Sequence, residues 1–155
     1  MSRGYLVDSP AVVHPSIIVS AGPHLTEEFK AKYQITHVIN CAFDKDSPEW
    51  FRNRYPNQYA CINAEDDING NILIWYPKFR DTLTSFLKDP TCRRVFVHCQ
   101  CGINRSIFLA LAYACDIFKC DYQTLYKSIL RQRPCAMTNP TYDKQIKLFC
   151  SKKSD

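Results

Sequence analysis

Hydrophobic and polar positions along the chain switch between short strand-like runs and longer helical stretches. Val12-Val13 and Ile17-Ile18-Val19 are β-branched runs, separated by His14-Pro15-Ser16 and closed by Gly22-Pro23, and they predict two strands. Thr26 followed by Glu27 and Glu28 marks a helix start, a capping hydroxyl ahead of acids at the positive end of the dipole. That helix is expected to reach about Tyr33. His37–Asn40 and Tyr59–Asn63 predict two further strands, the second preceded by Pro56-Asn57. A polar loop, Asp66–Asn71, surrounds Gly70. The helix after it is expected to run to about Lys88, with Pro77 kinking it or delaying its start and Asp89-Pro90 ending it. Val95-Phe96-Val97 is continuously apolar, the character of a strand buried on both faces. Helical periodicity returns from Ser106 to Phe118 and from Asp121 to about Arg131. Pro134 stops it, and a last short helix is expected over Tyr142–Cys150.

Strands alternating with helices imply an α/β fold, a central and mostly parallel sheet flanked by helices. With 155 residues, 46% of them hydrophobic and 23% charged, the chain is expected to form one soluble globular domain spanning 1–155. The longest apolar run, Ile107–Cys115, is closed by Asp116 and is too short to cross a bilayer, so no membrane insertion is expected. No apolar stretch follows Arg3, and no signal peptide is expected. An intracellular location, cytoplasmic or nuclear, is the expectation.

Nine cysteines change the picture only partly. Their odd number and the lack of an export signal argue against a disulfide framework, and Cys61 and Cys115 sit where small apolar residues belong. Cys99-Gln100-Cys101 and Cys115–Cys120 lack the partner spacing of a zinc site, and the four histidines are scattered, so no metal is expected. The net charge of +5 favours anionic partners in general. Lys144, Lys147, Lys152 and Lys153 have no interleaved aromatics and read as a solvated helix face.

The stretch richest in chemistry is Val95-Phe-Val-His-Cys-Gln-Cys-Gly-Ile-Asn-Arg-Ser106. A buried strand ends at His98, a tight loop follows, and a helix begins near Arg105. Ligands in α/β sheets bind at the carboxyl ends of strands, and N–H groups curling into a helix N-terminus form a nest for an anion. Gly102 permits the turn. Cys99 stands at the mouth of that nest, where the field that binds phosphate also favours the thiolate that attacks phosphorus. Arg105 offers a planar fork for two phosphate oxygens. Ser106 is placed to donate a hydrogen bond to sulfur, and His98 to shape the loop from a buried position. An acid for the leaving group is sought in Asn63-Ala-Glu-Asp-Asp-Ile-Asn-Gly70, where Asp66 and Asp67 both qualify and where acids also serve as helix caps.

On these residues the chain resembles the dual-specificity branch of the cysteine-dependent phosphatases. His98-Cys99-x₅-Arg105-Ser106 fits the signature, and Ile35-Thr-His-Val-Ile-Asn40 resembles the strand and turn after the first helix. Ala64-Glu-Asp66, with Asn71-Ile72 and Trp75, resembles the stretch carrying the general acid and selects Asp66 over Asp67. Arg133-Pro134, Asn139-Pro140 and Gln145 resemble the closing segment. The likeness spans roughly residues 12–150 and is nearest to the compact poxvirus-type and atypical members. It implies the phosphatase II-like cysteine-phosphatase fold and a mechanism without cofactor or metal. Cys99 would form a phosphocysteine while Asp66 protonates the leaving oxygen, and water activated by Asp66 would release phosphate with help from Ser106. Gln100, Cys101, Gly102, Ile103, Asn104 and Arg105 would hold the phosphate of a phosphorylated protein, with His98 and Asn139 in support.

Pro77, Cys101 and the loose Val19-Ser-Ala-Gly22 depart from the family pattern. Arg52-Asn-Arg-Tyr55 is similar to a phosphotyrosine-pocket motif of the larger tyrosine-specific enzymes only by coincidence, since it lies too near Cys99. Gly102-Ile-Asn-Arg105 also resembles RNA 5′-triphosphatases of the same superfamily, a reading under which nucleic acid would be the partner. Those enzymes do without the acid, so Asp66 favours a monoester. A pseudophosphatase would usually have lost Cys, Arg or Asp, and all three are present. Cys41, just after a strand expected to neighbour the loop strand, is a candidate resolving partner for an oxidised Cys99.

Overall fold

The computed structural model describes residues 8–65, 67 and 69–153. Among the described residues five strands form one sheet: β1 (Ala11–His14), β2 (Ile17–Ala21), β3 (His37–Asn40), β4 (Tyr59–Cys61) and β5 (Val95–Cys99), in the spatial order β1-β2-β5-β3-β4. β1 and β2 form an antiparallel pair, and every other pairing is parallel. The expected mostly parallel sheet is therefore present, with β5 at its centre.

Strand periodicity sends neighbouring side chains to opposite faces. Ile17, Val19, Ile39, Val95 and Val97 belong to one core, and Ile18, Val38 and Phe96 to the other. The smaller core is closed by α1 (Glu27–Lys32) and α2 (Glu49–Arg54) through Phe29, Trp50 and Phe51. The larger is closed by α3 (Tyr76–Lys88), α4 (Arg105–Ile117), α5 (Tyr122–Gln132) and α6 (Pro140–Lys153). α4 is buried from Arg105 to Asp116, which is why its sequence is apolar all round. Its acid, Asp116, accepts a hydrogen bond from the Tyr76 hydroxyl at 2.7 Å. Among the described residues no helix is long and apolar enough to cross a membrane.

Boundaries differ from expectation where a single residue decides them. Tyr59–Asn63 stops being a strand at Cys61, because Asn63 takes a left-handed φ of 61°. Pro77 is the second residue of α3, where no intrahelical N–H bond is lost, so it delays the helix without kinking it. Ile72–Trp75 precedes it as a 3₁₀ turn. The last helix is longer than Tyr142–Cys150: the side-chain oxygen of Asn139 accepts from the N–H groups of Thr141 (3.0 Å) and Tyr142 (3.2 Å), and Pro140 fills the first helical position. α2 has no counterpart in the sequence pattern, since it is six residues long and buries only Phe51.

Burial separates two leucines of similar helix context. Leu109 of α4 is fully buried and Leu148 of α6 is 60% exposed. Leu109→Ala is expected to cost about 2–5 kcal/mol and Leu148→Ala less than about 0.5 kcal/mol in urea denaturation.

Candidate active site

β5 delivers Cys99 to the carboxyl edge of the sheet, and α4 begins at Arg105, so Gln100–Asn104 must reverse direction within five residues. Gly102 makes this possible with φ +65°, and a Cβ on it would overlap the backbone of Ser20 and Ala21. The free N–H groups at the start of α4 then face the concave side of the loop.

The expected residues converge there. Cys99 is 3% exposed, and the Ser106 hydroxyl donates to its sulfur at 3.3 Å. Arg105 is 7% exposed; its Nη1 donates to the Ala64 carbonyl at 2.9 Å, while its buried Nε meets no partner among the described residues. A small pocket of about 140 Å³ opens between Cys99, Gln100, Cys101, Ile103, Asn104 and Arg105. Thr138 completes its wall. The arrangement offers a sulfur nucleophile, an unused guanidinium donor and a hydroxyl on the sulfur, all around a space of phosphoryl size. Gly102 acts on the pocket through the backbone turn it permits.

His98 is fully buried beneath the loop. Its Nδ1 bonds the Cys99 carbonyl at 3.0 Å and its Nε2 meets the Ser47 hydroxyl at 3.0 Å. A carbonyl only accepts, so Nδ1 carries the proton and Nε2 accepts from Ser47. Burial lowers its pKa to about 4, so the ring stays neutral. Asn139 caps α6 and donates its N–H to the Asn104 side chain at 3.0 Å, tying the helix start to the loop. Both supporting residues thus act on the loop's shape.

Asp66 lies outside the described residues. The alternative, Asp67, is exposed, and its carboxylate accepts the Asn69 N–H at 3.0 Å, which closes a local turn. Ala64, two residues before Asp66, is bonded both to Arg105 and, through its N–H, to the Cys41 carbonyl at 2.9 Å. Cys41 is buried with Cys99 and Arg105 as electrostatic neighbours, and burial pushes its thiol well up, with Cys99 adding to the rise. Cys101 is exposed on the pocket rim. Arg52-Asn-Arg-Tyr55 belongs to α2 and the turn after it and contributes nothing to the pocket at Cys99. Lys144, Lys147 and Lys152 are exposed along α6, as a solvated face should be.

Two contributors carry no chemical signature in the sequence. Arg133 is fully buried; its Nε and Nη2 donate to the Gly102 and Cys101 carbonyls, each at 2.7 Å, and its Nη1 to the Ser9 carbonyl at 2.9 Å. The same Nη1 pairs with the carboxylate of Asp8. Thr138 receives the Asn104 side-chain N–H at 3.2 Å. Their only sequence signal is proximity to the Arg133–Pro140 segment.

A family model described as "Dual specificity phosphatase, catalytic domain" matches residues 17–152. Dual specificity protein phosphatase 4 of Gallus gallus is 30% identical over 115 residues, 74% of this chain and 29% of that protein. The Homo sapiens protein of the same name is 31% identical over 116 residues, 74% of this chain and 28% of that protein. The chain therefore spans under a third of the length of these relatives. A mouse putative dual specificity phosphatase complexed with zinc tungstate has a TM-score of 0.76 at 18% identity, covering 98% of this chain and 92% of that one. Human DUSP28 gives 0.76 at 17%, covering 93% and 94%. At such identities the structural likeness concerns the fold.

The neutral, buried His98 has a consequence for acid stability. Unfolded histidine takes up a proton near pH 6.5, whereas His98 in the fold does so only near pH 4. Between these values the unfolded state binds more protons, so this contribution to stability is complete above pH 6.5 and is lost as the pH falls toward 4. His98→Asn is expected to flatten the pH dependence of the unfolding free energy across that window, measured by denaturant titration at each pH.

Proposed function

Because the chain belongs to the dual specificity phosphatase catalytic-domain family, we propose that it hydrolyses phosphotyrosine, phosphoserine and phosphothreonine in proteins through a phosphocysteine at Cys99. The thiolate of Cys99 attacks phosphorus, and the S–P bond forms as the bond to the ester oxygen breaks. Asp66 gives that oxygen its proton. Water then loses a proton to Asp66 and attacks phosphorus; the S–P bond breaks, phosphate leaves, and Ser106 donates to the departing sulfur. Arg105 and the N–H groups of Gln100–Arg105 match the charge on the equatorial oxygens throughout.

The observation that carries this reading is the Nε of Arg105, buried without a partner among the described residues on a side chain that lines one pocket with Cys99, and satisfied once an oxyanion binds. The volume of about 140 Å³ supports dual specificity. It suits a phosphoryl group rather than a whole phosphotyrosyl ring, so recognition rests on the phosphate and esters of short and long side chains reach the sulfur alike. The nine free cysteines suit a reducing compartment, the cytoplasm or the nucleus.

Cys99→Ser is expected to abolish turnover of phosphopeptides while retaining their binding, measured by phosphate release and by calorimetry. A large preference of the unmodified enzyme for γ-phosphate release from triphosphate-ended RNA would overturn the monoester assignment. Asp66→Asn is expected to lower turnover of aryl phosphates by about 10²–10⁴, and Asp67→Asn far less. Equal losses from the two would remove Asp66 from the role of acid.

A further inference from the structure

The loop between β4 and α3 needs an anchor, because Glu65, Asp67 and Asn69 are exposed and the sheet does not reach them. α6 supplies it. The Tyr142 hydroxyl accepts the N–H of Asp67 at 3.0 Å and donates to the carbonyl of Glu65 at 3.3 Å. One oxygen thus closes on the peptide groups to either side of position 66. One helical turn later, Gln145 accepts the Ile72 N–H at 2.9 Å and donates to the Gly70 carbonyl at 2.8 Å. The Tyr142 ring is 1% exposed and set edge-on against Phe108 of α4, with centroids 6.0 Å apart, so its hydroxyl has little freedom. Its own N–H is held by Asn139, the residue bonded to Asn104 of the phosphate loop.

From this geometry we propose that Tyr142 is a positioning residue: its hydroxyl, through the peptide groups of Glu65 and Asp67, sets the place of the general acid relative to the thiolate. Gln145 fixes the far half of the same loop. The inference rests on the assignment of Asp66 as acid. A hydroxyl both donates and accepts, so the bonds to Asp67 N–H and Glu65 carbonyl need it and a phenyl ring can make neither. Without them the two peptide groups turn to water, which the exposed loop allows, and the fold keeps its core while the acid loses its alignment. Proton transfer to a leaving oxygen is sensitive to such misplacement, whereas attack by Cys99 on an ester with an acidic leaving phenol hardly needs the proton.

The test is a leaving-group series of aryl phosphates, run from acidic to weakly acidic phenols, with Tyr142→Phe alone and combined with Asp66→Asn. Read as kcat/KM, which reports phosphoryl transfer to Cys99 and not the later hydrolysis in which Asp66 is the base, Tyr142→Phe is expected to leave the most acidic phenol nearly unchanged and to lower the least acidic by about tenfold or more. In the Asp66→Asn background it should add no further loss. A loss equal across the series, or one that multiplies with Asp66→Asn, would overturn the proposal. If Tyr142→Phe fails to fold by thermal melting, Gln145→Leu carries the same comparison. The underlying assignment fails separately: Asp66→Asn alone would then show no dependence on the leaving group.

Discussion

The site depends on the buried guanidinium of Arg133. Its Nε and Nη2 hold the carbonyl oxygens of Gly102 and Cys101 away from the pocket. A trans peptide points its N–H opposite its carbonyl, so fixing these two oxygens outward turns the N–H groups of Ile103 and Gly102 inward. Released from Arg133, either carbonyl could rotate toward the pocket and place a partial negative charge where an anion must sit. A buried cation is costly unless paired, and Asp8 and the Ser9 carbonyl supply the balance. The electrostatic polarity of the loop is therefore set from behind, by a residue that never faces the pocket.

Around this clamp the sheet acts as a fixed platform. β5 has parallel neighbours on both sides, with His98 opposite Ser20 and Asn40, so its last residue cannot shift without breaking two ladders. His98 then joins the platform to the loop, bonding the Cys99 carbonyl on one side and Ser47 on the other while remaining neutral. A charged imidazole here would add a third buried cation to the loop, beside Arg105 and Arg133. Its neutrality keeps the positive charge of the site on Arg105, whose fork matches an oxyanion.

The sequence was most legible where chemistry and local structure coincide. A buried strand, a glycine, an arginine and a helix start occur in twelve residues, and each of them has its own physical signature. Arg133 was legible only as a letter in the closing segment, because its partners are carbonyls 31 and 32 residues away in sequence, and a carbonyl is the same in every residue. α2 leaves no mark in the sequence for a related reason: one buried phenylalanine in six residues makes no period. Asp66 and Asp67 could not be separated by composition, being adjacent acids in one loop. The bond from Asn69 to the Asp67 carboxylate is a tertiary fact about a turn, and it occupies one of the two candidates with structural work.

In the proposed mechanism the nucleophile and the acid reside on different segments, Cys99 at the end of β5 and Asp66 beyond β4 in sequence, yet the reaction needs them in register with a single phosphorus. Arg105 offers a direct answer. Its Nη1 is bound to the carbonyl of Ala64, while its Nε has no partner among the described residues and is free for an oxyanion. A phosphate that engages this arginine therefore engages a group already tied to Ala64, two residues before the proposed acid in sequence. α6 closes the circuit from the other side, since Asn139 grips the phosphate loop through Asn104 and Tyr142, three residues on, grips the acid loop. Two independent tethers, one through a charged side chain and one through a capped helix, span the same gap. Cutting either leaves the other in place, so damage to one should misalign the acid by a small displacement rather than release its loop, which is why its effect falls on the substrates that most need the proton.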